Sequence, residues 1–299
     1  MMGNSGASTS RTGNSAALTL FRFHTPNAFR GESGGLHPLM PRIASLQQHF
    51  DFWDDFVRAW CSGSYPRALH MPEPWWGWTP EAGPLHSVAL NLSPAPGGKL
   101  QSRPCVACAM ACIGSDSYSA AMLSGALRSH LAPTERWHYS RRYLPLMKAL
   151  AAADADIAPD TRHHLSIELA PFHDSVSNAR FLSLHPDHLV AHILKFAADA
   201  ATHIVAPSPD KSLSSLKNIV IVRAALSKIR AFAADCITED KVSVNPHGVP
   251  PLEVDTFRLV DPELKDVTFV CMSGARNYLP PTDYIKQAII NIHYSKLEE

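Results

Sequence analysis

The chain has 299 residues, with 27 Lys and Arg against 27 Asp and Glu, so its formal charge at neutral pH is zero before its 16 histidines are considered. This balance excludes a protein that grips nucleic acid through a global surplus of cations; any phosphate contact must be a local patch. A hydrophobic content of 45% suffices for a sizeable core, no run of about 18 apolar residues marks a transmembrane helix, and six unevenly spaced cysteines do not form a secreted disulfide scaffold. The expectation is a soluble intracellular protein, cytoplasmic or nuclear, with no membrane partner.

Residues 1–40 precede the first strong pattern. No acidic residue occurs from Met1 to Gly31, and Arg11, Arg22 and Arg30 stand among Ser, Gly, Asn and Thr. The composition reads as a disordered tail, with organellar targeting as the alternative. From Pro41 onward Ile43, Leu46, Phe50, Trp53, Phe56, Val57 and Trp60 recur at helical spacing, which starts a single domain over 41–299. A Pro and Trp cluster at 72–80 follows; Trp75, Trp76 and Trp78 suit either a pocket wall or a core.

Four short aliphatic runs then read as strands: Ser87 to Leu92, Leu165 to Leu169, Ile219 to Val222 and Val267 to Cys271. Helical patterns occupy Asp187 to Ala201, Leu226 to Asp235 and Asp283 to Tyr294, while 149–160 and 245–252 read as connectors. Strands alternating with helices imply parallel pairing by crossover. The expected fold is α/β, a three-layer α/β/α sandwich around a four-stranded, mostly parallel sheet.

Ligands of such sheets sit beyond the carboxyl ends of the strands. Those ends lead here to Ser93 to Gly98, Ala170 to Ser175, Arg223 with Ala224, and Met272 to Asn277. The first is announced by Pro72-Glu73-Pro74 and breaks as Ser93-Pro94-Ala95-Pro96-Gly97-Gly98. The second runs Glu168-Leu169-Ala170-Pro171-Phe172-His173-Asp174-Ser175, and the third Met272-Ser273-Gly274-Ala275-Arg276-Asn277.

In these segments, over roughly Met71 to Pro281, the sequence resembles the uracil-DNA glycosylase superfamily, and in its last loop the single-strand-selective branch. The resemblance implies that a nucleotide is flipped from DNA into a pocket and that its N-glycosidic bond is broken. It puts Ser93 at the water-positioning place, with Asn91 two residues earlier and Pro94 kept. It puts Glu168 at the base-reading place and Met272 at the late-loop histidine, while Arg276 and Asn277 match. Serine positions water less well than an amide or carboxylate, and a thioether cannot donate to a leaving base. Three readings follow: altered base preference, catalysis through Asn91 or His173, or a catalytically inactive homologue that binds nucleic acid or nucleotide.

In the glycosylase reading Asn91 and Ser93 face the sugar carbon, Phe172 stacks on the base beside Pro94, and Glu168 or His173 reads its edge. Ser273, Arg276 and Asn277 hold phosphate or fill the vacated stack. Arg141 and Arg142, within the cation and aromatic run Arg136 to Tyr143, offer a local DNA contact, or else the solvated face of a helix. The partner is DNA, the protein a monomer, and no cofactor is implied.

Two patterns suggest metal. Cys105, Cys108 and Cys112 suit an iron–sulfur cluster or one buried helix face. His185, His188 and His192 beside Asp187 suit a zinc-dependent hydrolase or a surface helix without the Glu of H-E-x-x-H. For both the expectation is an ordinary helix role, and no metal.

Overall fold

The computed structural model describes residues 46–53, 75–78, 83–92, 144–151, 163–171, 178, 186–205, 215–273 and 280–298. The helices are α1 (46–53), α2 (Leu144–Ala151), α3 (Pro186–Thr202), α4 (Leu226–Ala233) and α5 (Thr282–Ser295). The strands are β1 (Trp75–Gly77), β2 (Ser87–Asn91), β3 (His164–Glu168), β4 (Ile219–Ala225), β5 (Ile237–Val244), β6 (Leu252–Leu259) and β7 (Thr268–Ser273). They form one seven-stranded sheet in the order β1-β3-β2-β4-β7-β6-β5.

The fold is α/β. The four expected strands are its centre, side by side as β3-β2-β4-β7 and mutually parallel. The expected four-stranded sheet is corrected to seven, because β1 adds antiparallel to β3 at one edge and a β5–β6 hairpin adds antiparallel to β7 at the other. These three strands lack the aliphatic run that betrays a doubly buried strand. In β5, residues 238–241 are all exposed, as suits an edge strand that must stay in water. The expected connector at 245–252 is the hairpin loop over 245–251, with Leu252 already in β6, and Gly248 takes a φ of +79°.

Each central strand is buried over consecutive residues, hence on both faces. Strand alternation tells the faces apart. Trp75 pairs with Ile167 and packs on Phe50, 4.7 Å between ring centres; Phe50 in turn meets Phe196 of α3 at 5.3 Å. Leu165 and Ile167 therefore point toward α1 and α3, and His164, Ser166 and Glu168 point to the opposite face. α4 packs on α3, while α5 packs on α2 and on β5, β6 and β7.

Trp75 and Trp78 are buried in the core, and Trp78 Nε1 donates to the Gly83 carbonyl at 2.7 Å. Core packing is thus the role the structure gives both. No helix among the described residues is long and apolar enough to cross a membrane.

Candidate functional site

The polar residues of β2 and β3 share one face at period two. Ser87 pairs with His164, Ala89 with Ser166 and Asn91 with Glu168. All are buried except Asn91, which is half-buried; Glu168 is 3% exposed. A sheet face deep in a protein is ordinarily apolar, so such a row requires internal hydrogen bonds. It has them. The Ser87 hydroxyl lies 2.7 Å from His164 Nδ1, and Asn91 Nδ2 donates to both Ser166 Oγ and Glu168 Oε1 at 2.8 Å.

A cation joins from the next strand. Arg223 of β4 donates from a terminal guanidinium nitrogen to Ser166 Oγ at 3.3 Å, reaching across β2. Two local features permit this. Alternation sets Arg223 with Ile221, which pairs with Ala89, on the face that carries Asn91 and Ser166. On β2, the residue opposite Ser166 is Ala89, whose methyl leaves the guanidinium room. Carboxylate, carboxamide, hydroxyl and guanidinium thus meet at the carboxyl ends of three adjacent parallel strands, where ligands of open α/β sheets bind.

The backbone prolongs this arrangement. Leu169 N donates to the Asn91 carbonyl and Ala170 N to that of Leu92, both at 2.9 Å, so the chain leaves β2 and β3 side by side. Chemically the cluster offers an acceptor in Glu168, donors in Arg223, and an amide whose donor group is already committed to holding Glu168 and Ser166. It can orient a planar polar ligand or a water.

Among the expected site residues, Asn91 and Glu168 are brought into direct contact. Ser273 lies at the end of β7, buried, and alternation sets it with Phe269 and Cys271 on the α3 face, away from Asn91. Met272 is buried at 3% exposure. Ser93, Pro94, Phe172, His173, Arg276, Asn277, Arg141 and Arg142 lie outside the described residues, as do Cys61, Cys105, Cys108 and Cys112. Sequence reasoning did not place Ser166 in the site and noted Arg223 only as a strand end. The available signal was the polar alternation His164-Leu165-Ser166-Ile167-Glu168 at a strand expected from Leu165 to Leu169.

Asn91→Leu tests whether these hydrogen bonds hold the row together. It removes the Nδ2 donor that Ser166 Oγ and Glu168 Oε1 share, and the expected loss is about 1–3 kcal/mol in urea unfolding. A change within about 0.5 kcal/mol, the range of ordinary surface substitutions, would show that the row stands without them.

A second polar cluster joins α1 to α3. His192, Phe196 and Asp199 fall on one face of α3 and meet His49 of α1. His49 Nε2 is 2.8 Å from Asp199 Oδ2, and His49 Nδ1 is 3.2 Å from His192 Nε2. His185 and the His188 side chain lie outside the described residues, among which no group of three or more His, Cys, Asp or Glu is arranged to hold a metal ion. Burial pushes the Cys271 thiol well above its ordinary range, which keeps it protonated.

Comparison of the chain with known protein families, with curated proteins and with solved structures returns no match.

Proposed function

We propose that this chain is a divergent uracil-DNA glycosylase-like protein of three-layer α/β/α architecture that receives an extruded base beyond the ends of β2, β3 and β4 and cleaves its N-glycosidic bond. The observation that carries this reading is the contact between Asn91 and Glu168. These two residues, drawn from sequence segments more than 70 residues apart, are joined by a 2.8 Å hydrogen bond at adjacent strand ends. In this reading Glu168 reads the base edge and Asn91 holds the carboxylate in position. Arg223 adds a donor that an uncharged row would lack. DNA contact is local, in keeping with the balance of 27 cationic and 27 anionic residues.

The test is incubation of the purified protein with oligonucleotides carrying uracil, hypoxanthine, xanthine or alkylated bases, followed by alkaline cleavage of abasic sites. Scission is expected with at least one lesion, and Glu168→Gln should lower its rate by about 100-fold or more, the usual cost of removing a group that acts on the reacting base. Absence of scission with every lesion would overturn the enzyme reading.

The chemistry of Met272 favours a second reading, an inactive homologue that binds nucleic acid or nucleotide. A thioether neither donates a hydrogen bond nor carries positive charge, so it cannot stabilise a departing base anion. Binding of single-stranded or abasic DNA with a clear salt slope but without scission is the result expected from it.

A further inference from the structure

Among the described residues β5 is the last strand of the sheet, and no strand lies along its outer edge. Val260 N donates to the Cys236 carbonyl at 3.0 Å, so these two residues form a bonded antiparallel pair at the open end of the hairpin. Bonded and non-bonded pairs alternate from there. Thr238, Asp240, Val242 and Val244 therefore turn their backbone groups toward β6, and Glu239, Lys241 and Ser243 turn theirs outward. Two bonds to side chains agree: Lys241 N donates to Asp240 Oδ1 at 2.7 Å, and the Ser243 carbonyl accepts from Asn291 Nδ2 at 3.1 Å. We propose that this edge binds an extended basic segment of another protein as an added strand, whose lysine or arginine side chains enter the groove between β5 and α4.

The side chains follow from the same alternation. Phe257 pairs with Phe269, which lies on the α3 face, and Glu239 stands opposite Phe257. Glu239, Lys241 and Ser243 thus share that face with Glu253 and Asp255 of β6. α4 borders it, because Arg230 reaches Glu239 at 3.4 Å. Between helix and hairpin runs a groove of about 490 Å³, whose lining includes Leu226, Ser227 and Arg230 of α4 and Glu239, Lys241 and Asp255 of the hairpin. Opposed residues of neighbouring strands point to one side of a sheet. A residue of an added strand opposite Glu239 or Lys241 therefore points its side chain into this groove.

The charges select the occupant. Arg230 is paired with Glu239, and Lys241 with Glu253 at 3.0 Å. Asp240 and Asp255 also line the groove and have no ion-pair partner among the described residues, which leaves it acidic. Lys241 registers the excess: its hydrogen bond to Glu253 holds its pKa above the ordinary lysine value, and the charges of Glu253 and Asp255 add to this. An added lysine or arginine meets unmatched carboxylates there, beside exposed ion pairs that are weak and easily rearranged. An added glutamate or aspartate meets repulsion.

The same charges discourage a second copy of this chain. Symmetric antiparallel pairing opposes one residue to itself, and the two registers of greatest overlap for Ile237–Val244 are centred on Asp240 and Lys241. Each sets a charge against its own copy, which is destabilising. The charges that keep β5 from pairing with itself are thus the ones that favour a basic strand. Main-chain bonds supply the affinity of such an addition, and alternate side chains its selectivity. β7 and β6 separate this edge from β4, so its occupation is independent of any chemistry at Asn91, Glu168 and Arg223.

The experiment titrates the full chain with a synthetic peptide as long as β5 that alternates lysine and threonine, and follows amide hydrogen exchange by NMR. Saturable binding is expected, with exchange at Glu239, Lys241 and Ser243 slowed at least tenfold. Exchange at Thr238, Asp240 and Val242, already bonded to β6, should change little. Replacing every lysine of the peptide by glutamate should weaken binding at least tenfold, and so should methylating every backbone nitrogen, which keeps the charges but removes the donors. Glu253→Gln together with Asp255→Asn should weaken binding of the lysine peptide about tenfold. The proposal is overturned if the lysine peptide does not saturate, if the glutamate or the methylated peptide binds as tightly, if the slowed amides lie outside β5, or if the doubly substituted chain binds as tightly as the native one. Should that variant not fold, the exchange pattern and the peptide series in the native protein decide the matter.

Discussion

Lowering the pH from 8 to 5 is expected to cost this protein about 2 kcal/mol of stability, with His192 the main cause. Burial and the adjacent His49 lower its folded-state pKa from 6.5 to about 3. The unfolded chain takes up a proton near 6.5, and the folded chain does not until near 3. The sign follows: this stability is fully present above about pH 6.5 and is lost as pH falls toward 3, because the unfolded state binds more protons over that window. At about 1.4 kcal/mol for each tenfold difference in proton affinity, the loss is about 2 kcal/mol at pH 5 and reaches about 5 kcal/mol near pH 3.

Two other histidines act in the same direction. His86 is lowered by burial and then by the nearby His163. His293 is lowered by burial, against the opposing hydrogen bond to the Ser215 carbonyl. Urea unfolding at pH 8, 6.5 and 5 should show a falling midpoint, and His192→Gln should flatten the profile. Equal midpoints in the native protein at pH 8 and 5 would refute the account.

Phe196→Ala is expected to cost about 3–5 kcal/mol, the range for deleting a fully buried aromatic ring. Phe196 is 0% exposed. Its ring stacks on His49 at 4.9 Å and meets Phe50 edge-on at 5.3 Å, and Phe50 carries the contact on to Trp75 at 4.7 Å. Removing the ring leaves a void where α1, α3 and the β1 edge come together. Against a typical domain stability of about 5–15 kcal/mol, that loss is a large share of the total. Phe196→Leu, which keeps most of the volume, should recover the larger part. A thermal midpoint for Phe196→Ala within a few degrees of the native value would show that the joint is not the packed centre described above.

The four central strands and their helices were legible because double burial writes itself as continuous aliphatic sequence. Ile219-Val220-Ile221-Val222 is buried at every position, and the expected strand needed only extension to Ala225. β5 was not legible. Its Thr238-Glu239-Asp240-Lys241 stretch is exposed, and what makes it a strand is pairing with β6, where Val254 and Phe257 are buried. β1 failed for a related reason: three residues of a tryptophan cluster carry no periodicity, and their pairing with β3 is a long-range event.

The site divides in the same way. That Asn91 and Glu168 lie near strand ends was written locally in alternation and in the residues that break each run. The sequence by itself determined the α/β class, the central strands and the four strand ends beyond which a ligand was expected. Only the tertiary structure decided that β2 lies between β3 and β4, so that Asn91 touches Glu168 and Arg223 reaches Ser166 over Ala89. The physical reason is that lateral strand order follows from which way each crossover connection turns and from how the helices pack on the sheet. Those are contacts between residues far apart in the chain, and no local pattern of side chains records them.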